Sequence, residues 1–207
     1  MRTGSGNNKD ENLDFKSITL ERLEKDALGL KINDNDGYLR SYIALAKFFS
    51  GHKAIGADEF IQGSHMVYAW MPTILKKLET ENLSPVLAAL NSAKSGHILD
   101  ISDLSLLKAS INNSIVGASK LLHFANPALY PIWDSRVYKY ITGGTSVYGL
   151  DKPERYLGYL HRLVEITESS DYKNIHDIVS IQLPYEVTKM RTIELIMFLV
   201  SGPADDK

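Results

Sequence analysis

The chain has 207 residues, 44% hydrophobic and 23% charged, with a formal net charge of −2. This length suits one large domain or two small lobes sharing a cleft, and the near-balanced charge excludes a bulk polycation of the histone kind. The absence of cysteine excludes disulfides, thiolate metal sites, iron–sulfur clusters and a cysteine nucleophile.

Residues 1–12, rich in Gly, Asn and charges, read as a mobile tail without the apolar core of a signal peptide. No apolar run approaches the roughly 20 residues of a membrane span, so a cytoplasmic protein with no membrane partner is expected. Apolar residues recur at helical spacing from Leu20 to Leu28, and "NDNDG" then signals a turn. Tyr42, Ile43, Ala46 and Phe49 form the next stripe, closed by Gly51. Asp58 is the expected N-cap of a third helix, which Pro72 kinks or restarts. Ser84 before Pro85 predicts another helix start, and Asp100 or the serine beside it caps a short helix to Asn113. "KPERYLGYLHRLVEITES" is amphipathic, and the apolar "YEVTKMRTIELIMFLVSG" belongs in a core. Sustained period-2 alternation is missing. The prediction is an all-α fold of eight to ten helices. Residues 13–207 form one two-lobed domain, with 85–140 as one lobe and the first and last helices packed together in the other.

The segment "INNSIVGASKLLHFANPALYPIWDSRVYKYI" concentrates unusual residue types. It reads as a tight turn around Gly117 and a helix from about Ala118 to Ala125. Lys120 then lies in the first helical turn, where the helix dipole and partial desolvation lower its pKa toward that of an amine nucleophile. Pro127 and Pro131 stiffen the connector that follows. Asp134 is the expected N-cap of the next helix. An amine and a carboxylate are thus held at the ends of a rigid connector.

"IVGASK" and "YPIWDSRV" together resemble the catalytic segment of the helix-hairpin-helix DNA glycosylases, the superfamily that includes endonuclease III and 8-oxoguanine DNA glycosylase. The likeness covers about 28 residues, and Ser119 stands near the place of the hairpin's second glycine. The resemblance implies a helix-hairpin-helix-like element, a cleft between lobes, DNA as partner, no cofactor and no metal, and a base flipped out of the duplex. It makes Lys120 the group that attacks C1′ to form a Schiff base, and Asp134 the carboxylate that stabilises charge on the sugar. Asn113, Ser114, Gly117 and Ser119 of the hairpin would contact the DNA backbone, joined by Arg136, Lys139 and Lys108.

Plainer readings stand beside these. Asp134 serves equally as a structural cap and Lys120 as a solvated lysine. His123, Tyr130, Trp133 and Trp70 either line a base pocket or anchor the core, and Tyr68 shares that choice with Trp70. Lys189 and Arg191 read as a solvated helix face. The six histidines lack metal-ligand spacing. A catalytically inactive DNA-binding module and a helical protein–protein adaptor are the competing functions, and the oligomeric state expected is a monomer.

Overall fold

In the computed structural model, residues 13–32, 37–71 and 73–202 are described. The regular elements among them are helical: a 3₁₀ turn at Phe15–Ser17, then α1 (Leu20–Gly29), α2 (Gly37–Ser50), α3 (Ala57–Trp70), α4 (Leu83–Lys94) and α5 (Ile101–Ser110). They continue as α6 (Ile115–Ala125), α7 (Ser135–Thr142), α8 (Pro153–Glu168), α9 (Tyr172–Ser180) and α10 (Lys189–Val200). A single antiparallel bridge, Leu78 to Ile111, is the nearest approach to a sheet among the described residues. The fold is all-α, as the helical spacing of the apolar residues dictates. No helix in this part of the chain is long and apolar enough to cross a membrane. The tail at 1–12, most of the "NDNDG" turn and Pro72 lie outside the described residues.

Two helices organise the packing. In α6 every residue except Val116 is buried, and the helix packs against α2, α3, α4, α5 and α8. Helix α10 buries Met190 to Met197 without a break and packs against α1, α7, α8 and α9. The first and last helices are thus in contact, as their apolar stripes predict. Each fully buried Leu, Ile or Phe on these hubs contributes about 1.5–3 kcal/mol. Both helices are buried on all sides and so are central, and the few polar side chains they carry are buried with them.

Several helix starts differ from expectation. Helix α3 is capped at Gly56, whose N–H donates to Glu59 Oε2 at 2.9 Å, so Asp58 lies inside the first turn. Helix α4 begins at Leu83, which moves Ser84 and Pro85 inside the helix. Asp100 caps α5 by accepting the Asp103 N–H at 2.9 Å. The turn between α5 and α6 falls at Asn112 and Asn113, with φ of 54° and 51°, and not at Gly117. Asparagine tolerates this left-handed conformation, so the chain reverses before the glycine is reached. Ser114 then caps α6 through the Gly117 N–H. Lys120 therefore stands in the second turn of a buried helix, and the dipole argument for it gives way to one of burial.

Candidate active site

The site begins with a hydrogen-bonded staple between α6 and the connector. Ser119 Oγ accepts the Trp133 N–H at 3.1 Å and lies 3.1 Å from the Trp133 carbonyl oxygen. Each partner immediately precedes a residue of interest, Lys120 on one side and Asp134 on the other. Trp133 is itself fixed, with its indole N–H on the Leu150 carbonyl at 2.8 Å and its ring 5.0 Å from that of Tyr159. Ser119, expected at the DNA backbone, is fully buried and here holds protein together.

Lys120 and Asp134 line the same open cavity of about 850 Å³. Ser114, Val116 and Gly117 floor it from α6, and Ser135 and Arg136 join from the start of α7. An aromatic wall lines it as well. Tyr38 of α2 stacks on Trp70 of α3 at 4.2 Å and on Phe198 of α10 at 5.5 Å. Arg136 lies over the Phe198 ring at 4.3 Å, and Lys120 Nζ is 5.7 Å from the Trp70 ring. These contacts favour cations over ring faces.

Lys120 is 8% exposed and Asp134 7%. Burial lowers the Lys120 pKa, partly opposed by the negative charges of Asp134 and Glu194. Among the described residues, Nζ has no hydrogen-bond partner and no carboxylate oxygen within 4.0 Å. The amine and the Asp134 carboxylate are coupled across a gap, not joined in an ion pair. Asp134 Oδ1 accepts the Arg136 and Val137 N–H groups at 2.9 and 3.0 Å, making it the N-cap of α7 as expected. Its Oδ2 makes no hydrogen bond among the described residues. One carboxylate oxygen is structural and the other is available to the cavity.

Behind the wall lies a buried charged pair that includes Arg191, a residue expected on a solvated helix face. Arg191 is fully buried and pairs with Glu194 one turn along α10. Arg191 lies over the Tyr42 ring at 4.6 Å. Among the described residues, Arg191 Nε and Nη2 and Glu194 Oε1 have no hydrogen-bond partner. Burial pushes the Glu194 carboxyl up to about 7, with Asp134 adding to the rise and Arg191 and Lys120 opposing it.

Three other pocket candidates belong to the core. His123 Nδ1 sits 2.7 Å from the Tyr130 carbonyl oxygen and Nε2 2.9 Å from the Tyr42 hydroxyl. A carbonyl only accepts, so Nδ1 carries the proton and Nε2 accepts from Tyr42. Burial pushes the His123 pKa down to about 3, and the ring stays neutral. The Tyr130 hydroxyl donates to the His97 carbonyl at 2.6 Å and accepts the Leu99 N–H at 3.0 Å, turned away from the cavity. Trp133 is sealed behind the staple. Trp70 and Tyr68 do line the cavity, with Tyr38 and Phe198, which no motif marked.

The expected backbone contacts divide in the same way. Ser114, Gly117 and Arg136 line the cavity, whereas Asn113 lines the adjoining hollow with Lys76 and Lys77. Lys139 is half-buried on α7 and lines neither. The first N–H of α6, at Ile115, donates to Asp151 Oδ1 at 2.7 Å, and Lys108 Nζ donates to the Asp151 carbonyl at 2.7 Å. An internal carboxylate thus occupies the start of α6 and engages Lys108. Lys189 Nζ donates to the Thr167 carbonyl at 3.0 Å. No group of three metal-ligating side chains converges among the described residues.

No protein-family model, curated protein or solved structure matches the chain.

Proposed function

We propose that the protein is a DNA glycosylase with Schiff-base lyase chemistry, a divergent member of the helix-hairpin-helix class that acts on a damaged or modified base. The observation that carries this reading is the meeting of Lys120 and Asp134 at one cavity beside a stacked aromatic wall. A flipped base stacks on Trp70 and Tyr38, as aromatic faces accept any base. The cavity then serves as a cleft between two lobes. The α6 and α7 side belongs to the 85–140 lobe, and the wall is drawn from α2, α3 and α10. One chain supplies every group, so a cytoplasmic monomer suffices.

In this mechanism the desolvated Lys120 amine forms a bond to C1′. The glycosidic C–N bond breaks, and its electron pair leaves on the base, which takes a proton from water. Asp134 stabilises the positive charge developing on the sugar through the oxygen not committed to the α7 cap. The new secondary amine loses a proton to Asp134. Opening of C1′–O4′ yields the iminium as O4′ takes that proton up. Arg136, which lines the cavity, engages a phosphate in this reading.

Borohydride trapping tests the proposal directly, on oligonucleotides carrying oxidised, deaminated or methylated bases. A covalent adduct is expected with the unaltered chain and not with Lys120→Ala. Absence of any adduct on every lesion overturns the Schiff-base mechanism. Base release retained by Lys120→Ala but lost in Asp134→Asn shifts the reading to a water nucleophile.

A further inference from the structure

Four charged side chains are buried among the described residues, Lys120, Asp134, Arg191 and Glu194. Their formal charges sum to zero. Lys120 comes from α6 and Asp134 from the start of α7, while Arg191 and Glu194 stand on α10. Phe198, one turn beyond Glu194 on α10, belongs to the aromatic wall of the cavity. Arg191 lies over the Tyr42 ring at 4.6 Å and the Tyr38 ring at 6.0 Å. The two pairs sense each other: the negative charges of Asp134 and Glu194 favour a protonated Lys120, and Arg191 and Arg136 oppose it. Lys120 acts on Glu194 in return. Apolar residues of equal size in place of a buried ion pair are often as stabilising or more so. The packing of α10 therefore gives no reason for Arg191 and Glu194. The other groups turned toward them are uncharged near neutral pH. Tyr38 and Tyr42 of α2, Tyr159 of α8 and Tyr185 ahead of α10 are phenols whose pKa burial raises. Burial lowers the pKa of His123 on α6 and of His176 on α9. On α1, Arg22 and Asp26 engage Tyr140.

We propose that Glu194 is a positioning residue for the Lys120 amine: ionised, it holds a proton on Lys120, Arg191 opposes it, and the pair decides when the amine is free to attack. This rests on reading Lys120 as the nucleophile. An ammonium has no lone pair, so the bond to C1′ forms only after that proton has passed to solvent. Buried charges interact strongly because little water screens them. The attraction is present above about 7, where the Glu194 carboxyl is ionised. Neutralising Glu194 removes the attraction and leaves the repulsion of Arg191, so the amine is freed at a lower pH. Removing Arg191 as well takes back part of that change, because Glu194 acts on Lys120 more strongly than Arg191 does.

The test reads the pH at which the amine is freed, once without DNA and once with it. Lysine Cε resonances are titrated by NMR, with Lys120 assigned by its loss in Lys120→Met. Borohydride trapping on an oligonucleotide with one abasic aldehyde site is timed over the same pH range. Glu194→Gln is expected to move the Lys120 midpoint to lower pH, and to trap about tenfold faster at a pH where the rate of the unaltered chain is still rising. The apolar double variant, Arg191→Met with Glu194→Leu, should move both in the same direction by less, and it decides alone where Glu194→Gln fails to fold. Lys120 midpoints that coincide in the unaltered chain and the variants overturn the proposal. Midpoints that move while the trapping profiles coincide overturn it too, because the charge then has no part in the reaction. A chain that traps at no pH, with midpoints that move as expected, overturns the glycosylase reading and leaves the charge coupling standing.

Discussion

Ser119 and Trp133 hydrogen-bond across 14 residues of chain, and each is followed at once by a residue of the cavity. The contact fixes the spacing of Lys120 and Asp134 without involving either. Ser119→Ala leaves the buried Trp133 N–H unpaired, which costs about 1–3 kcal/mol. Urea unfolding should show that loss. The trapping rate at full saturation should fall as well, because the amine and carboxylate are no longer held in register.

Asp134 caps α7, and the proposed chemistry gives it a second duty that can be separated from the first. Serine caps helices nearly as well as aspartate, whereas alanine costs about 0.5–2 kcal/mol. Asp134→Ser should therefore unfold near the midpoint of the unaltered chain and still fail to trap DNA. Asp134→Ala should lose both stability and trapping. A variant Asp134→Ser with unaltered trapping would reduce the residue to its structural duty.

Gly117 packs against Tyr68 so closely that a Cβ would collide with the phenol oxygen. Tyr68 is buried and lines the cavity, so the ring gives way only by shifting out of its packed position. Gly117→Ala should destabilise by about 1–3 kcal/mol, as overpacking does. A melting temperature lowered by roughly 2–4 °C per kcal/mol is the readout. The double variant Gly117→Ala with Tyr68→Phe should recover part of the loss.

The Arg191–Glu194 pair should behave as buried pairs do. Removing Glu194 alone leaves an uncompensated guanidinium and costs about 3–5 kcal/mol. Replacing both, as Arg191→Met with Glu194→Leu, should restore most of that loss, as measured by urea unfolding. The carboxyl of Glu194 also titrates upward, from 4.5 to about 7. Between those values the folded chain binds the extra proton, so the contribution of Glu194 is fully present below 4.5 and is lost as pH rises through about 7. That fall should be absent from the double variant.

Lys120 gives the opposite slope at alkaline pH. Its folded pKa lies below the ordinary 10.5, so the unfolded chain binds more protons in the window between the two. Stability from this group is fully present above 10.5 and is lost as pH falls through the lowered value. Lys120→Met should flatten this slope in denaturant titrations run at successive pH values. An unchanged slope would place the amine in water.

The sequence by itself determined the helical class, the central place of α10, and the cap at Asp134. These follow from apolar spacing and from the local hydrogen bonding of one side chain, and local physics is written in consecutive residues. Gly117 was legible as special but for the wrong reason, since its role is to admit Tyr68 from another helix and not to form a turn. Only the tertiary structure decided the rest. Arg191 looks like any surface cation, and Lys120 is marked by its segment but not by its depth, so burial by distant helices decides what each can do. Tyr38 and Phe198 carry no motif, because an aromatic wall assembled from α2, α3 and α10 leaves no pattern in any one of them. The meeting of Lys120 with Asp134 depends on the Ser119–Trp133 staple, whose geometry exists only once α6 and its connector are folded against each other.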